Sequence, residues 1–464
     1  MDVQNLQTQL DALFSPESVA VVGVPRGMKA GRMLLTALLD QGFPGQIFPV
    51  NPQAEEIDGL KAYPSISAIP GPVDLAIVLV PHHHTLSVIT ECAAKGVKGV
   101  VLFTAGYKET GTIEGKALEE ELVRVARSAG MRLIGPNCVG FYSPKTGLSF
   151  LPQLSKEPGP VGLISHSGSL AQILGRMGSR RGIRFSKAIS LGNECDLTTA
   201  DFLTYLAADS ETRLIGVYME GIKAGHTFLE ALKKASLEKP VILWKAGLTP
   251  EGSRAAASHT GALASSSQIW MGAIRQGGAV PVSGFEAWVD AIMGFSFLPD
   301  NGLGDRMAII SGPGGLAVSA AEACGMVGLR LALLSPQTQS SLSEFIAKIG
   351  TSLRNPIDIG LTGAMDKETI FRAARTAAID EGVDAVVVIG TGMTPEDVKL
   401  YVETMVQIRE EYRKTIVMVT MPGFDLGQAH LFYQAEIPVF ETVERAMQTY
   451  ALVREYQRWR QITA

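Results

Sequence analysis

Cysteine is scarce in this chain. Its four cysteines, Cys92, Cys138, Cys195 and Cys324, lie far apart and form no C-x-x-C pair. That pattern argues against a disulfide framework and fits reduced thiols in a cytoplasmic protein. Long apolar runs are also missing. No stretch reaches the roughly 18 consecutive apolar residues of a membrane span. The N-terminal segment MDVQNLQTQLDALFSPESV is polar and helix-forming; it has neither the basic start nor the apolar centre of a secretion signal. An excess of positive charge is absent too. The formal net charge is −5 and no basic face stands out, which argues against a nucleic-acid binder.

What is present is apolar material and glycine. Hydrophobic residues make up 46% of 464 residues and glycine occurs 49 times, enough for about three domains of ordinary size with many strand-to-helix turns. Short runs rich in Val and Ile occur at 18–24 (SVAVVGV), 46–50 (QIFPV), 74–80 (DLAIVLV), 97–103 (GVKGVVLF) and 131–134 (MRLI), most of them separated by helix-length segments. Such spacing predicts a parallel sheet covered on both faces. A doubly wound, Rossmann-like domain is expected over 1–145, followed by a Pro/Gly-rich connector at 143–160.

The remainder repeats itself. GLISHSGSLAQ (162–172) matches AIISGPGGLAV (308–318), GNECD (192–196) matches NPID (355–358), and RLIGVYME (213–220) matches DAVVVIG (384–390). VILWKAG (241–247) then matches IVMVTMPG (416–423), and PVSGFEAWVDA (281–291) matches PVFETVERAM (438–447). The shared order predicts two related flavodoxin-like α/β domains, 158–300 and 301–464. From Gly247 to Pro281 is 34 residues, whereas from Gly423 to Pro438 is 15. The first copy thus carries an insertion, and it contains Arg-Ala-Ala-Ala-Ser-His-Thr-Gly-Ala (254–262). That run sets His259 among residues with almost no side chain. It reads as a mobile loop able to bring an imidazole close to an anion; a neutral surface loop is the alternative.

Several turns suit anions. Gly23-Val-Pro25-Arg26-Gly-Met-Lys29-Ala-Gly31 ends the first strand, but its glycines are four apart, unlike the G-x-G-x-x-G fingerprint. A helix N-terminus with Arg26 and Lys29 beside it suits a ligand with several phosphates. Asn51-Pro52 and Pro81 lie at the carboxyl edge of the same sheet, where ligands of such folds bind. His82, His83 and His84, read as extended, would point in different directions, so no metal is expected. Ser165-His166-Ser167-Gly168-Ser169 and Ser311-Gly312-Pro313-Gly314-Gly315 each precede a helix and can offer N–H groups to an anion. Glu220 ends an apolar strand and needs a partner. His259 is one candidate for that role, and Lys245 or Arg254 is the competing structural one.

In combination these segments resemble the α subunits of the ADP-forming (NDP-forming) acyl-CoA synthetases, acetate–CoA ligases related to succinyl-CoA synthetase. The resemblance runs nearly end to end, through FPVNP, DLAIVLVP, FTAGYKETG, RLIGPNCVG, GLISHSGSL, SLGNECD, YMEGI, WKAG…AAASHTGALA, GPGG and NPID. It implies a CoA-binding domain that uses Gly23, Pro25, Arg26, Lys29, Asn51, Pro52 and Pro81, with Asn137 and Cys138 near the thioester. It also implies an acyl phosphate formed from acyl-CoA and phosphate, and a phosphohistidine at His259 stabilised by Glu220. The helix starts at Ser167, Gly168 and Ser169 and at Gly314 and Gly315 would hold the phosphoryl group. Coenzyme A is the implied substrate. ATP or ADP with Mg2+ would sit on a separate ATP-grasp β subunit, in an α2β2 assembly, because nothing in this chain resembles an ATP-grasp domain. The family commonly has Gln or Arg where His166 stands, so substrate handling at that turn is expected to differ. A non-catalytic CoA-binding regulator is the alternative. A nicotinamide-dependent dehydrogenase is disfavoured by the glycine spacing and by the lack of an acidic residue after FPVNP.

Overall fold

The structure is a computed structural model, and it describes residues 3–27, 30–260, 266–390, 394–420 and 429–463. The chain divides into two compact units. One comprises Met1–Ser179 and Ile183–Gly284; the other comprises Arg180–Gly182 and Phe285–Ala464.

The first unit opens with α1 (Val3–Phe14), β1 (Ser18–Val22), α2 (Ala30–Gln41) and β2 (Gln46–Val50), then a small antiparallel hairpin of β3 (Glu56–Ile57) and β4 (Leu60–Lys61). It continues through β5 (Leu75–Val78), α3 (His82–Lys95), β6 (Gly99–Leu102), α4 (Ile113–Ser128) and β7 (Arg132–Ile134). The five longer strands form one parallel sheet in the order β2-β1-β5-β6-β7. Every residue of β1, β5, β6 and β7 is buried, as apolar runs must be when both faces of a sheet are covered. The order reverses between β1 and β5, which opens a crevice at their carboxyl ends.

A second sheet in this unit starts at β8 (Gly140–Tyr142), which pairs antiparallel with β10 (Phe185–Ser190). Around it the chain runs β9 (Val161–Ser165), α5 (Gly168–Arg180), β10, α6 (Thr199–Ala208), β11 (Leu214–Met219), α7 (Gly225–Glu238), β12 (Val241–Lys245), α8 (Pro250–Thr260), α9 (Ser267–Gln276) and β13 (Val280–Val282). The sheet order is β13-β12-β11-β9-β10-β8.

The second unit runs α10 (Phe285–Phe297), β14 (Arg306–Ser311), α11 (Gly314–Met326), β15 (Arg330–Leu331), α12 (Pro336–Ser343), β16 (Ile357–Asp358), α13 (Gly360–Ala364) and α14 (Lys367–Ile379). It ends with β17 (Ala385–Gly390), α15 (Pro395–Tyr412), β18 (Thr415–Thr420), α16 (Ala429–Gln434), β19 (Val439–Phe440) and α17 (Val443–Thr463). Its sheet order is β15-β14-β17-β18-β19, with β16 also on β14. Counted from β9 and from β14, with β15 and β16 pairing successive stretches of β14 and sharing the second place, both sheets place their strands as second, first, third, fourth, fifth, the flavodoxin order. Matched sequence segments fall on matched strands: β9 with β14, β11 with β17, β12 with β18 and β13 with β19.

Helices α10 and α17 follow the last strand of each copy, and they pack together. Asp290 on α10, 3% exposed, receives Arg445 of α17 through Nε at 2.6 Å and Nη2 at 2.7 Å. Arg181 reaches the same carboxylate at 2.8 Å. When Phe285-Glu286 is aligned on Phe440-Glu441, Asp290 and Arg445 occupy the same position of the repeat.

Candidate active site

The β9–α5 turn is built by its own hydroxyls. Ser165 Oγ donates to the Ser167 carbonyl at 2.7 Å. Ser167 Oγ accepts the Leu170 N–H at 3.3 Å, the N-cap arrangement that satisfies one orphan donor of the helix. Ser167 Oγ also meets Ser169 Oγ at 3.1 Å. Gly168 and Ser169 are the first residues of α5, so their N–H groups have no acceptor within the helix. Ser169 is exposed, and this end of α5 faces outward with its partial positive charge.

His166, between those serines, is 6% exposed. Its Nδ1 accepts the Glu220 N–H at 3.2 Å. Its Nε2 lies 3.0 Å from Thr199 Oγ1 and 3.3 Å from Glu194 Oε1. Burial pushes the Glu194 carboxyl up, and hydrogen bonds from the His166 ring and from the Thr199 hydroxyl and N–H pull it down. Glu194 and Thr199 also line a cavity of about 30 Å³ with Met219, Ile222, Lys223 and Phe228, room for a water-sized group.

Glu220 directly follows β11 and is 7% exposed. Tyr218, two residues earlier and so on the same side of the strand, donates its hydroxyl to Glu220 Oε1 at 3.0 Å. Burial, and then the neighbouring carboxylate, push the Tyr218 phenol well up, so it remains a donor. Lys245 does not pair with the Glu220 carboxylate, as one sequence reading had it. Its Nζ donates to the Glu220 main-chain carbonyl at 2.8 Å and to the Ala246 carbonyl, and lies 4.8 Å from the Trp270 ring centroid. Burial lowers its pKa to about 8, against the opposing pull of Glu220. Arg254 bonds Glu251 Oε1 at 3.2 Å on the surface of α8.

The segment around His259 corrects an expectation. The sequence suggests a mobile loop here, yet residues 250–260 form α8. Small side chains do not by themselves mean mobility, because alanine has the highest helix propensity of all residues. Pro250 at the first position, Glu251 in the first turn and Thr249 Oγ1 accepting the Gly252 N–H at 3.0 Å complete the start signal. The helix packs beside the turn Lys108–Thr110. The His259 side chain and residues 261–265 lie outside the described residues.

The crevice residues gather at one edge of the first sheet. Gly23 has φ +89, and a Cβ there would stand 3.1 Å from the Leu79 backbone and Val80, so the turn needs glycine. Pro25 and exposed Arg26 follow it; Lys29 lies outside the described residues. Arg32 was missed by sequence reasoning: its Nη1 donates to the Pro25 and Arg26 carbonyls at 3.4 and 3.3 Å, and its guanidinium pairs with Asp58. Asn51 Nδ2 donates to the Val24 carbonyl at 2.7 Å, tying the ends of β1 and β2. Pro52 is exposed, and Pro81 is the N-cap of α3. The three histidines after Pro81, expected to be extended, begin that helix instead, with the His83 and His84 ring centroids 4.2 Å apart.

Asn137 adopts φ 58 and its N–H donates to the Thr104 carbonyl at 3.0 Å. Cys138 is buried, with Sγ 3.5 Å from the Ile134 carbonyl, and burial pushes its thiol up to about 12. This turn is clasped by the GNECD segment. Asn193 N–H donates to the Pro136 carbonyl at 3.0 Å and Cys195 N–H to the Gly135 carbonyl at 2.9 Å. A Cβ on Gly192 would lie 2.1 Å from the Pro136 oxygen. Asn193 Nδ2 also joins Glu109 Oε2 at 2.5 Å and Glu119 Oε2 at 3.0 Å.

Gly314 and Gly315 begin α11 in the other unit. Ser311 Oγ donates to the Pro313 carbonyl at 3.0 Å, the same bond as in the first copy. A Cβ on Gly312 would sit 2.0 Å from that of Ala364, and one on Gly314 would sit 2.7 Å from Asp358 Oδ2. No described residue comes within 4 Å of a Cβ placed on Gly315. The structure thus brings Ser167, His166, Glu220, Tyr218 and Lys245 together, and separately the crevice residues Gly23, Asn51 and Pro81. Sequence reasoning missed Tyr218, although strand periodicity puts it on the same side as Glu220. It missed Glu194 and Thr199 too, and no local signal marks them, since their approach to His166 is made by the fold.

Residues 17–144 match the family described as a CoA binding domain, and residues 158–295 match the succinyl-CoA ligase like flavodoxin domain. The chain is 38% identical to the acetate–CoA ligase (ADP-forming) II subunit alpha of Pyrococcus furiosus, over 96% of this chain and 98% of that protein. It is 35% identical to acetate–CoA ligase (ADP-forming) I of Archaeoglobus fulgidus, over 97% of this chain but 64% of that longer protein. A solved structure of Ca. Korarchaeum cryptofilum dinucleotide forming acetyl-coenzyme A synthetase 1, in complex with phosphate and ADP, superposes with a TM-score of 0.85 at 33% identity, covering 97% of each chain. These likenesses identify the chain as a member of the ADP-forming acyl-CoA synthetase family, ligases of the succinyl-CoA synthetase superfamily.

Proposed function

We propose that this chain is the α subunit of an ADP-forming acyl-CoA synthetase and works through a phosphohistidine at His259. Three domains, 1–145, 158–300 and 301–464, divide the work. CoA lies along the crevice of the first, its phosphates near the turn of Gly23, Pro25, Arg26 and Lys29 and its remaining length past Asn51, Pro52 and Pro81. The thioester ends near Asn137 and Cys138. The Cys138 thiol is buried and protonated, so this turn acts through its main chain. A phosphate oxygen attacks the thioester carbonyl, the C–S bond breaks, and CoA leaves as the thiol. An imidazole nitrogen of His259 then attacks phosphorus, and the carboxylate leaves from the acyl phosphate.

Glu220 accepts a hydrogen bond from the imidazole and so orients the attacking nitrogen. The N–H groups of Gly168 and Ser169, with the Ser167 hydroxyl, receive the phosphoryl oxygens. The observation that carries this reading is the junction of Glu220 with the β9–α5 turn: a buried carboxylate is fixed next to a helix start that has free donors. Phosphohistidine then passes its phosphoryl group to ADP on an ATP-grasp β subunit, where Mg2+ is bound, in an α2β2 assembly in the cytoplasm. The full-length likeness to ligases disfavours the regulatory alternative. Incubation with acetyl-CoA and radiolabelled phosphate should place an acid-labile, base-stable phosphate on the chain. Equal labelling of wild type and His259→Ala would refute the mechanism.

A further inference from the structure

The hydrogen bonds around His166 run in one direction. Thr199 donates both its hydroxyl and its N–H to Glu194 Oε1, each at 2.5 Å. With its proton spent there, Thr199 Oγ1 meets His166 Nε2 at 3.0 Å as an acceptor. Nε2 must therefore carry a proton. At the other side of the ring a main-chain N–H, that of Glu220, points at Nδ1 from 3.2 Å. Nδ1 must then be a bare lone pair, since a second proton would set N–H against N–H. Among the described residues, two lysines meet this chain of bonds at its ends. Lys223 Nζ donates to the Glu194 carbonyl at 2.7 Å, and Lys245 Nζ to the Glu220 carbonyl at 2.8 Å.

We infer that His166 is a positioning residue: as the neutral Nε2–H tautomer, oriented by Thr199 and Glu194, it uses its Nδ1 lone pair to fix the main chain of Glu220 and thereby aim that carboxylate. The inference rests on the proposed role of Glu220. Its geometry is independent of the phosphohistidine. The peptide N–H of Glu220 lies beyond the last ladder residue of β11, Met219, so the imidazole supplies the bond that the sheet no longer does. The Tyr218 hydroxyl holds one carboxylate oxygen, His166 holds the backbone and Lys245 holds the carbonyl. Glu220 is thus restrained at three points from three elements. An error of about 1 Å in such a group can cost on the order of 100-fold in rate.

Two measurements test this on the full chain. Histidine-selective 15N NMR, assigned with His166→Gln, should show residue 166 as a neutral ring with the proton on Nε2 at pH 7. An imidazolium or an Nδ1–H tautomer would overturn the inference. Second, His166→Leu should slow phosphoryl labelling of His259 about 100-fold with CoA affinity unchanged. His166→Gln, whose amide offers both an acceptor and a donor, should stay within about threefold of wild type on the same positional argument. Equal rates for Leu and Gln variants would show that the lone pair does not matter. CoA affinity serves as the folding control for both variants. If the wild-type chain acquires no phosphohistidine, the proposed mechanism fails, and the tautomer alone decides the role of His166.

Discussion

The two flavodoxin-like copies share a skeleton and differ in nearly every residue that bears chemistry. Ser165 and Ser311 make the same bond to the carbonyl two residues on, at 2.7 and 3.0 Å. After that serine the copies part. The first has His166 and Ser167, a buried imidazole and a helix cap; the second has Gly312 and Pro313, where Gly312 lets Ala364 approach and Pro313 makes no side-chain cap. Strand register aligns Tyr218 with Ile389 and Lys245 with Thr420. The serine bond that shapes the turn was kept in both copies, whereas among the described residues the imidazole, phenol and ammonium of His166, Tyr218 and Lys245 occur in the first copy alone. In the proposed mechanism the first copy adds side chains to the main-chain donors of Gly168 and Ser169. The second copy can offer main-chain donors at Gly314 and Gly315, with the Asp358 carboxylate close by.

The sharpest way to break this asymmetry is at Glu220. Glu220→Gln should slow phosphoryl labelling on the order of 100-fold, the loss typical of one preorganised electrostatic partner, with CoA affinity unchanged by calorimetry. Next in size is the pair that joins equivalent positions of the copies. Asp290→Ala removes the shared acceptor of Arg445 and Arg181 and should cost about 3–5 kcal/mol in urea unfolding, because two guanidiniums lose their buried partner. Asp290→Asn should cost less.

A smaller effect separates Lys245 from Thr420. Lys245 has a folded pKa of about 8, below the ordinary value of 10.5. Between those pH values the unfolded chain holds a proton that the folded chain has lost, so this group adds stability as pH rises from about 8 to 10.5. Urea midpoints of Lys245→Met relative to wild type should lose that rise, and parallel curves would contradict it. Smallest is the cap. Ser167→Ala should cost about 1 kcal/mol, whereas Pro313→Ala has no cap bond to remove and should shift the urea midpoint less.

Much of the fold was legible because its strands are apolar and regularly spaced. The five runs named for the first sheet became β2, β1, β5, β6 and β7, and the repeat placed matched segments on matched strands. The local geometry of the candidate site was legible where a motif is short: the helix start at Ser167 to Ser169, Glu220 at a strand end, and the Gly23 turn. It was illegible where partners meet through the fold. Glu194 and Thr199 approach His166 from 28 and 33 residues away in sequence, and Lys245 chose a carbonyl over a carboxylate because β11 and β12 run side by side. Two local readings failed for a local reason. An alanine-rich run and a histidine triplet behind a proline were taken as loop and extended chain, although alanine favours helix and proline favours a helix start.

The central claim is that the first copy carries the phosphoryl group. Both copies hold a histidine between their fourth and fifth strands, His259 in α8 and exposed His430 in α16. Mass spectrometry of the chain after incubation with acetyl-CoA and phosphate, under conditions that preserve phosphohistidine, tells them apart. The prediction is a phosphate on His259 and none on His430. A phosphate on His430, or turnover with His259 unmodified throughout, would contradict the account.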